Sequence, residues 1–121
     1  MNVEEFRNYV LSLKGTTEKM PWTEPEYSSL LVFEVGDKWF GFVDIDKFEF
    51  CNLKCDPERS IELQEKYEGI KPGWHMNKKY WISVYFHSDV PDSLIKELVV
   101  ASHDIVFNKL PKKVQVEISA E

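Results

Sequence analysis

The sequence predicts an α+β fold of two layers: an antiparallel five-stranded sheet with helices on one face, in the order α-β-β-β-α-β-β-α. Three observations carry this. Apolar stripes of helical period stand near both ends, Val3-Phe6-Val10-Leu13 and Leu94-Ile95-Leu98-Ala101-Ser102-Ile105-Val106. Between them lie runs of β-branched and aromatic residues, several joined by very short turns, the mark of antiparallel hairpins. Apolar residues make up 43% of the chain, which is enough for one core and too much for a disordered segment.

Each element has a local reason. Asn2 can cap the first helix, with Glu5 completing a box-like arrangement and Lys14-Gly15 supplying the stop. The connector TTEKMPWTEPEYSS holds two prolines and reads as non-helical, pinned to the domain by Met20, Trp22 and Tyr27. Leu30 to Val35, Lys38 to Asp44 and Phe48 to Leu53 read as three strands, turning at Gly36-Asp37 and Asp46-Lys47. Asp56-Pro57 opens a second helix, given apolar weight by Ile61, Leu63 and Tyr67 and closed by Gly69. The segment IKPGWHMNKKYWISVYFH reads as a hairpin turning at Asn77-Lys78-Lys79. The last helix starts near Asp89-Val90-Pro91 and ends at Leu110-Pro111. Residues 1–113 then form a single domain, and 114–121 form a tail whose alternation reads as an extra strand or a frayed end.

The formal net charge of -6 counts against a general nucleic-acid coat, although a local basic patch is compatible with it. Two cysteines are too few for an extracellular disulfide scaffold of this size. The start, MNVEEFRNYV, lacks the basic and apolar regions of a signal peptide, and runs such as Leu30 to Phe33 are too short to span a bilayer. The expectation is a reduced cytoplasmic domain with no membrane segment, a monomer before an oligomer. Cys51 and Cys55, with His75, His87 and His103, lack metal-ligand spacing, and the five glycines make no phosphate loop. Ser102, His103 and Asp104 are consecutive on a helix, about 100° apart, so they cannot form a relay together. Glu62, Glu65 and Glu68 read as a solvated face. The sequence indicates no catalytic residue, cofactor or metal.

Several motifs resemble the MmcQ/YjbR family of small bacterial proteins. They are Pro72-Gly73-Trp74-His75-Met76-Asn77-Lys78-Lys79-Tyr80-Trp81, the segment Val90 to Leu98, and Ser102-His103-Asp104 with Lys109-Leu110-Pro111 beyond it. Lys38-Trp39-Phe40 after a turn is a further match. The resemblance spans about residues 2 to 113. It departs from the family pattern at His103, where Tyr is common, and at Tyr80, where His is common. It implies a fold like that of CyaY and the type III secretion chaperones, and a DNA-binding role attached to the family by fold comparison.

The candidate nucleic-acid contacts are Lys71, Trp74, His75, Asn77, Lys78, Lys79 and Tyr80 on the hairpin, with Lys112 and Lys113 beside Lys109 near the end of the last helix. Cations would pair with phosphates and rings would stack on bases. Against this, turn lysines are often only solvated, and cations at a helix C-terminus suit its dipole without any ligand. Two other readings stand beside DNA binding. One is a protein-interaction module with an exposed apolar patch; the other is a small-molecule pocket lined by Trp22, Trp39, Trp74 and Trp81.

Overall fold

A computed structural model describes the whole chain, residues 1–121. Its elements are α1 (Val3–Leu11), β1 (Thr16–Lys19), β2 (Leu30–Val35), β3 (Lys38–Asp44), β4 (Phe50–Lys54), α2 (Pro57–Lys66), β5 (Ile70–Pro72), β6 (Trp81–Tyr85), α3 (Asp92–Phe107) and α4 (Lys112–Ser119). The strands form one antiparallel sheet in the order β1-β2-β3-β4-β6-β5. The α+β class and the antiparallel sheet agree with the sequence reading, but there are six strands, not five, and four helices.

The sixth strand is β1, inside the connector read as irregular. Its four residues, TTEK, carry no apolar side chain and thus no hydrophobic signal. It forms because Thr16 to Lys19 pair along β2, from Val35 to Val32, while the Arg7 guanidinium grips both oxygens of Glu18 from α1. The tail is the second correction. Residues 112–119 are helical, and α4 crosses the boundary placed at residue 113. Over five residues, Val114-Val116-Ile118 fits a period of two, but Val114 and Ile118 are also four apart, on one helical face. Ile118 is buried, Val116 is exposed, and the Lys14 ammonium donates to the Ser119 carbonyl at 2.7 Å.

The helices lie on one face of the sheet. Phe6 and Val10 of α1, Leu63 of α2, Ile95 and Leu98 of α3 and Ile118 of α4 share a core with Leu31, Phe33, Cys51, Ile82 and Val84 of the strands. Ile61, counted as apolar weight for α2, is 61% exposed. Phe6 is the hub, meeting Phe33, Phe48 and Phe86 edge-on with centroids 5.2 to 6.2 Å apart. Burying such a ring contributes about 1.5–3 kcal/mol.

The opposite face is also covered. Leu30, Val32, Phe42 and Trp81 form a second cluster, roofed by Trp22 and Tyr27 of the connector and by Trp74 and Met76 of the β5–β6 loop. The loop is clamped to the sheet. Asn52 Nδ2 donates to the Trp74 carbonyl at 2.7 Å, the Ser83 hydroxyl donates to Asn52 Oδ1, and Trp74 N–H donates to Ser83 Oγ at 2.9 Å. Gly73 begins the loop because a side chain there would run into the Trp81 backbone.

A carboxylate organises the approach to β5. Asp89 accepts the backbone N–H groups of Gly69 and Glu68, both at 2.8 Å, and these hold its pKa below the ordinary carboxylate value. A depressed folded-state pKa stabilises the fold fully above the unfolded value of about 3.9, and that contribution is lost as pH falls through the folded value. Asp89→Asn is therefore expected to flatten the acid limb of a stability-against-pH curve measured by denaturant unfolding. An unchanged slope below about pH 4 would show that these bonds do not count.

Candidate functional site

Two sites lie on or beside the face away from the helices. The first is a basic cleft where the β2–β3 turn, the end of β4, the β5–β6 loop and the end of α3 converge. Gly36 and Asp37 both have positive φ, which makes the tight turn expected between β2 and β3. A side chain at Gly36 would strike Leu110, so this turn lies against the segment after α3. Lys38 follows the turn, Lys109 follows α3, and Lys54 ends β4.

Lys54 and Lys109 line two adjoining cavities. One, of about 440 Å³, also has Lys38, Trp39, Met76 and Trp81 in its wall. The other, of about 510 Å³, has Tyr80, Asn108 and Asp56. The Lys54 ammonium lies 5.7 Å from the Trp81 ring centre. Burial, with a smaller contribution from Lys109, lowers its pKa. No carboxylate lies within ion-pair distance of Lys38, Lys54 or Lys109. In a chain of net charge -6, the two cavities thus gather three lysines outside any ion pair and one carboxylate, Asp56, beside a tryptophan and a tyrosine.

The second site is an aromatic box in the cover of the sheet. Trp22, Tyr27, Phe42 and Trp74 line a cavity of about 210 Å³, together with Trp39, His75 and Met76. His75 holds a left-handed backbone at φ 56°, uncommon for a residue with a Cβ. Its ring lies 4.0 Å from that of Trp74.

The residues singled out from sequence separate into distinct positions. Tyr80 lines the cleft, and Trp74 and His75 line the box. Asn77 builds the turn by accepting Lys79 N–H at 3.0 Å. The Lys78 ammonium folds back to the Gly73 carbonyl at 2.7 Å, and Lys79 lies over the Tyr80 ring. Lys71 is exposed on the outermost strand. Lys112 and Lys113 occupy the first turn of α4, the positive end of that helix, so the favourable dipole argument holds for Lys109 but not for them. Of the four tryptophans read as one pocket, Trp22, Trp39 and Trp74 meet in the box, while Trp81 faces the cleft.

Sequence reasoning missed Lys38 and Lys54 as site residues. The available signal was alternation: Phe50, Asn52 and Lys54 share the strand face opposite Cys51 and Leu53. Cys51 is buried, and burial raises its thiol pKa. Ser102 and His103 are structural. The Ser102 hydroxyl donates to the Phe40 carbonyl and accepts Lys54 N–H at 2.8 Å, while His103 Nε2 lies 2.8 Å from the Lys14 carbonyl. The large apolar side chains left exposed, Met20, Ile61, Tyr80 and Val116, lie on four different segments. No helix is long and apolar enough to cross a membrane.

The YjbR family model matches residues 11–105. The chain is 39% identical over 95 residues to the uncharacterized protein YbdF of Escherichia coli O157:H7, an alignment covering 78% of this chain and 75% of that protein. It is 32% identical over 111 residues to the uncharacterized protein YyaQ of Bacillus subtilis, covering 82% and 92%. Among solved structures, a Deinococcus radiodurans protein with a DUF419 domain matches with a TM-score of 0.88 at 31% identity, covering 98% of this chain and 88% of that one.

Proposed function

The chain belongs to the YjbR family, and on that premise we propose that it is a non-enzymatic DNA-binding domain whose contact surface is the basic cleft. The observation that supports this reading is the convergence of Lys38, Lys54 and Lys109, none ion-paired, around Trp81 and Tyr80. Cations neutralise phosphates and give affinity, while exposed rings stack on bases or wedge between them. The Tyr80 ring is 41% exposed and available for that, whereas Trp81 is buried and serves as the wall. Lys79, over the Tyr80 ring, then flanks the contact, Lys78 and Asn77 hold the loop that presents it, and Lys112 and Lys113 follow Pro111 of the cleft wall in sequence.

The test is fluorescence anisotropy with a labelled duplex and a labelled single strand across a salt series. Each phosphate contact contributes about 0.9 to the slope of log affinity against log salt for duplex DNA. A Lys54→Ala, Lys109→Ala double variant is expected to lower that slope by about 2 and to weaken binding at every sequence tested. Absent binding at low salt, or a slope unchanged in the double variant, would overturn the assignment.

A further inference from the structure

We propose that the aromatic box is a binding site for a small methylated ammonium ion, a ligand of opposite charge to the one assigned to the cleft. The box is a closed circuit of four rings. Trp22 meets Tyr27 at 6.4 Å between centroids, Tyr27 meets Trp74 at 6.5 Å, Trp74 meets Phe42 at 6.5 Å, and Phe42 returns to Trp22 at 6.5 Å. Neighbouring planes are turned by 55 to 65°, so no two adjacent walls stack flat. All four rings line the same cavity of about 210 Å³, with buried Leu30 also in its wall.

Aromatic rings attract a cation through their quadrupole, and an enclosure of them suits a cation that brings no hydrogen-bond donors. An inorganic cation is strongly hydrated, and an enclosure of rings and an aliphatic side chain offers few oxygens in place of its lost water. A methylated ammonium is weakly hydrated, presents methyl groups to rings and leaves less behind in solvent.

Charge around the box is divided. The Trp39 and Met76 side borders the basic cleft, with the Lys19 ammonium 6.0 Å from the Trp39 ring centre and paired to Glu34. The Leu30, Phe42 and Trp74 side faces carboxylates that favour a cation over a neutral ligand of the same shape. An adjoining cavity shares Leu30, Phe42 and Trp74 with the box and is bordered by Glu26, Asp44 and Glu49 against the single cation Lys47. Asp44 uses one oxygen on the Ser29 hydroxyl and on the turn N–H groups of Asp46 and Lys47. Glu26 and Glu49 are exposed and form no ion pair. A cation in the box therefore has rings at its sides and two uncommitted carboxylates nearby. The Asn52–Ser83–Trp74 clamp fixes one wall, so the box is organised before any ligand arrives.

The experiment titrates the tryptophan fluorescence of the full chain with tetramethylammonium chloride, against sodium chloride at equal ionic strength. A second pair of titrations compares choline with its neutral tert-butyl isostere. The expected result is a saturable change with both ammonium ions and at least about tenfold weaker binding of the neutral isostere, the scale of a desolvated cation–π contact. A Glu26→Gln, Glu49→Gln double variant, at two exposed positions outside the box, is expected to keep its unfolding midpoint and weaken choline several-fold. The proposal is overturned by the absence of saturation, by a neutral isostere that binds as well as choline, or by a double variant with unchanged choline affinity.

Discussion

Replacing Ser102 by alanine is expected to destabilise the domain by about 3 kcal/mol, because one hydroxyl stands in for a missing rung of the sheet. The β3–β4 pairing runs from Val43↔Cys51 to Gly41↔Leu53 and stops. The next rung would join Phe40 to Lys54. A register shift between β2 and β3 also leaves Phe40 without a partner on β2. Ser102, fully buried on α3, reaches into this gap, accepting the Lys54 N–H and donating to the Phe40 carbonyl. Alanine would orphan both backbone groups, each costing about 1–3 kcal/mol when buried. Chemical denaturation of Ser102→Ala beside Ser93→Ala, an exposed position on the same helix, measures this directly. The control is expected to move by no more than about 0.5 kcal/mol. A Ser102→Ala loss no larger than that would mean the sheet closes the gap by itself.

Asn52→Ala is expected to have an effect of similar size, about 2–4 kcal/mol, and to release the cover of the sheet as well. The Asn52 side chain is wholly buried on a central strand, and both of its polar ends are used. Its loss leaves the Trp74 carbonyl and the Ser83 hydroxyl proton without partners. Trp74 is also a wall of the box, so its emission is expected to shift to the red even where the far-UV spectrum stays native. Urea unfolding followed by both signals separates the two effects. A variant with native emission and an unchanged midpoint would show that ring packing alone holds the loop.

Much of the fold was legible because its signals are local. The Asn2 cap and its Glu5 partner, the Gly36-Asp37 turn, the Asp56-Pro57 start of α2 and the alternation of Trp81 to Tyr85 each depend on residues a few positions apart. The missed parts are settled by distant partners. Two threonines are all that favours a strand in Thr16 to Lys19; pairing with Val32 to Val35 and the Arg7–Glu18 contact decide it. Asn52 reads as a solvent-facing residue by alternation, and it is buried because a loop from another hairpin folds over it. The site was half legible for the same reason. Adjacency drew attention to Lys78 and Lys79, but Lys78 is turned back on its own loop. The cations that meet, Lys38, Lys54 and Lys109, come from separate parts of the chain: α3 packed on β4 through Ser102 brings Lys109 to Lys54, and the β2–β3 turn packed on Leu110 adds Lys38.

The two outermost strands have a consequence for how copies of this domain can associate. β1 has four residues and β5 three, and β5 ends in Pro72, which has no N–H to offer. Charged Lys19 and Lys71 sit on these same two margins. Short, charged margins, one of them ended by a proline, resist the backbone pairing through which sheets extend into fibres or capture stray strands. Both margins therefore disfavour edge-to-edge pairing of copies through their backbones.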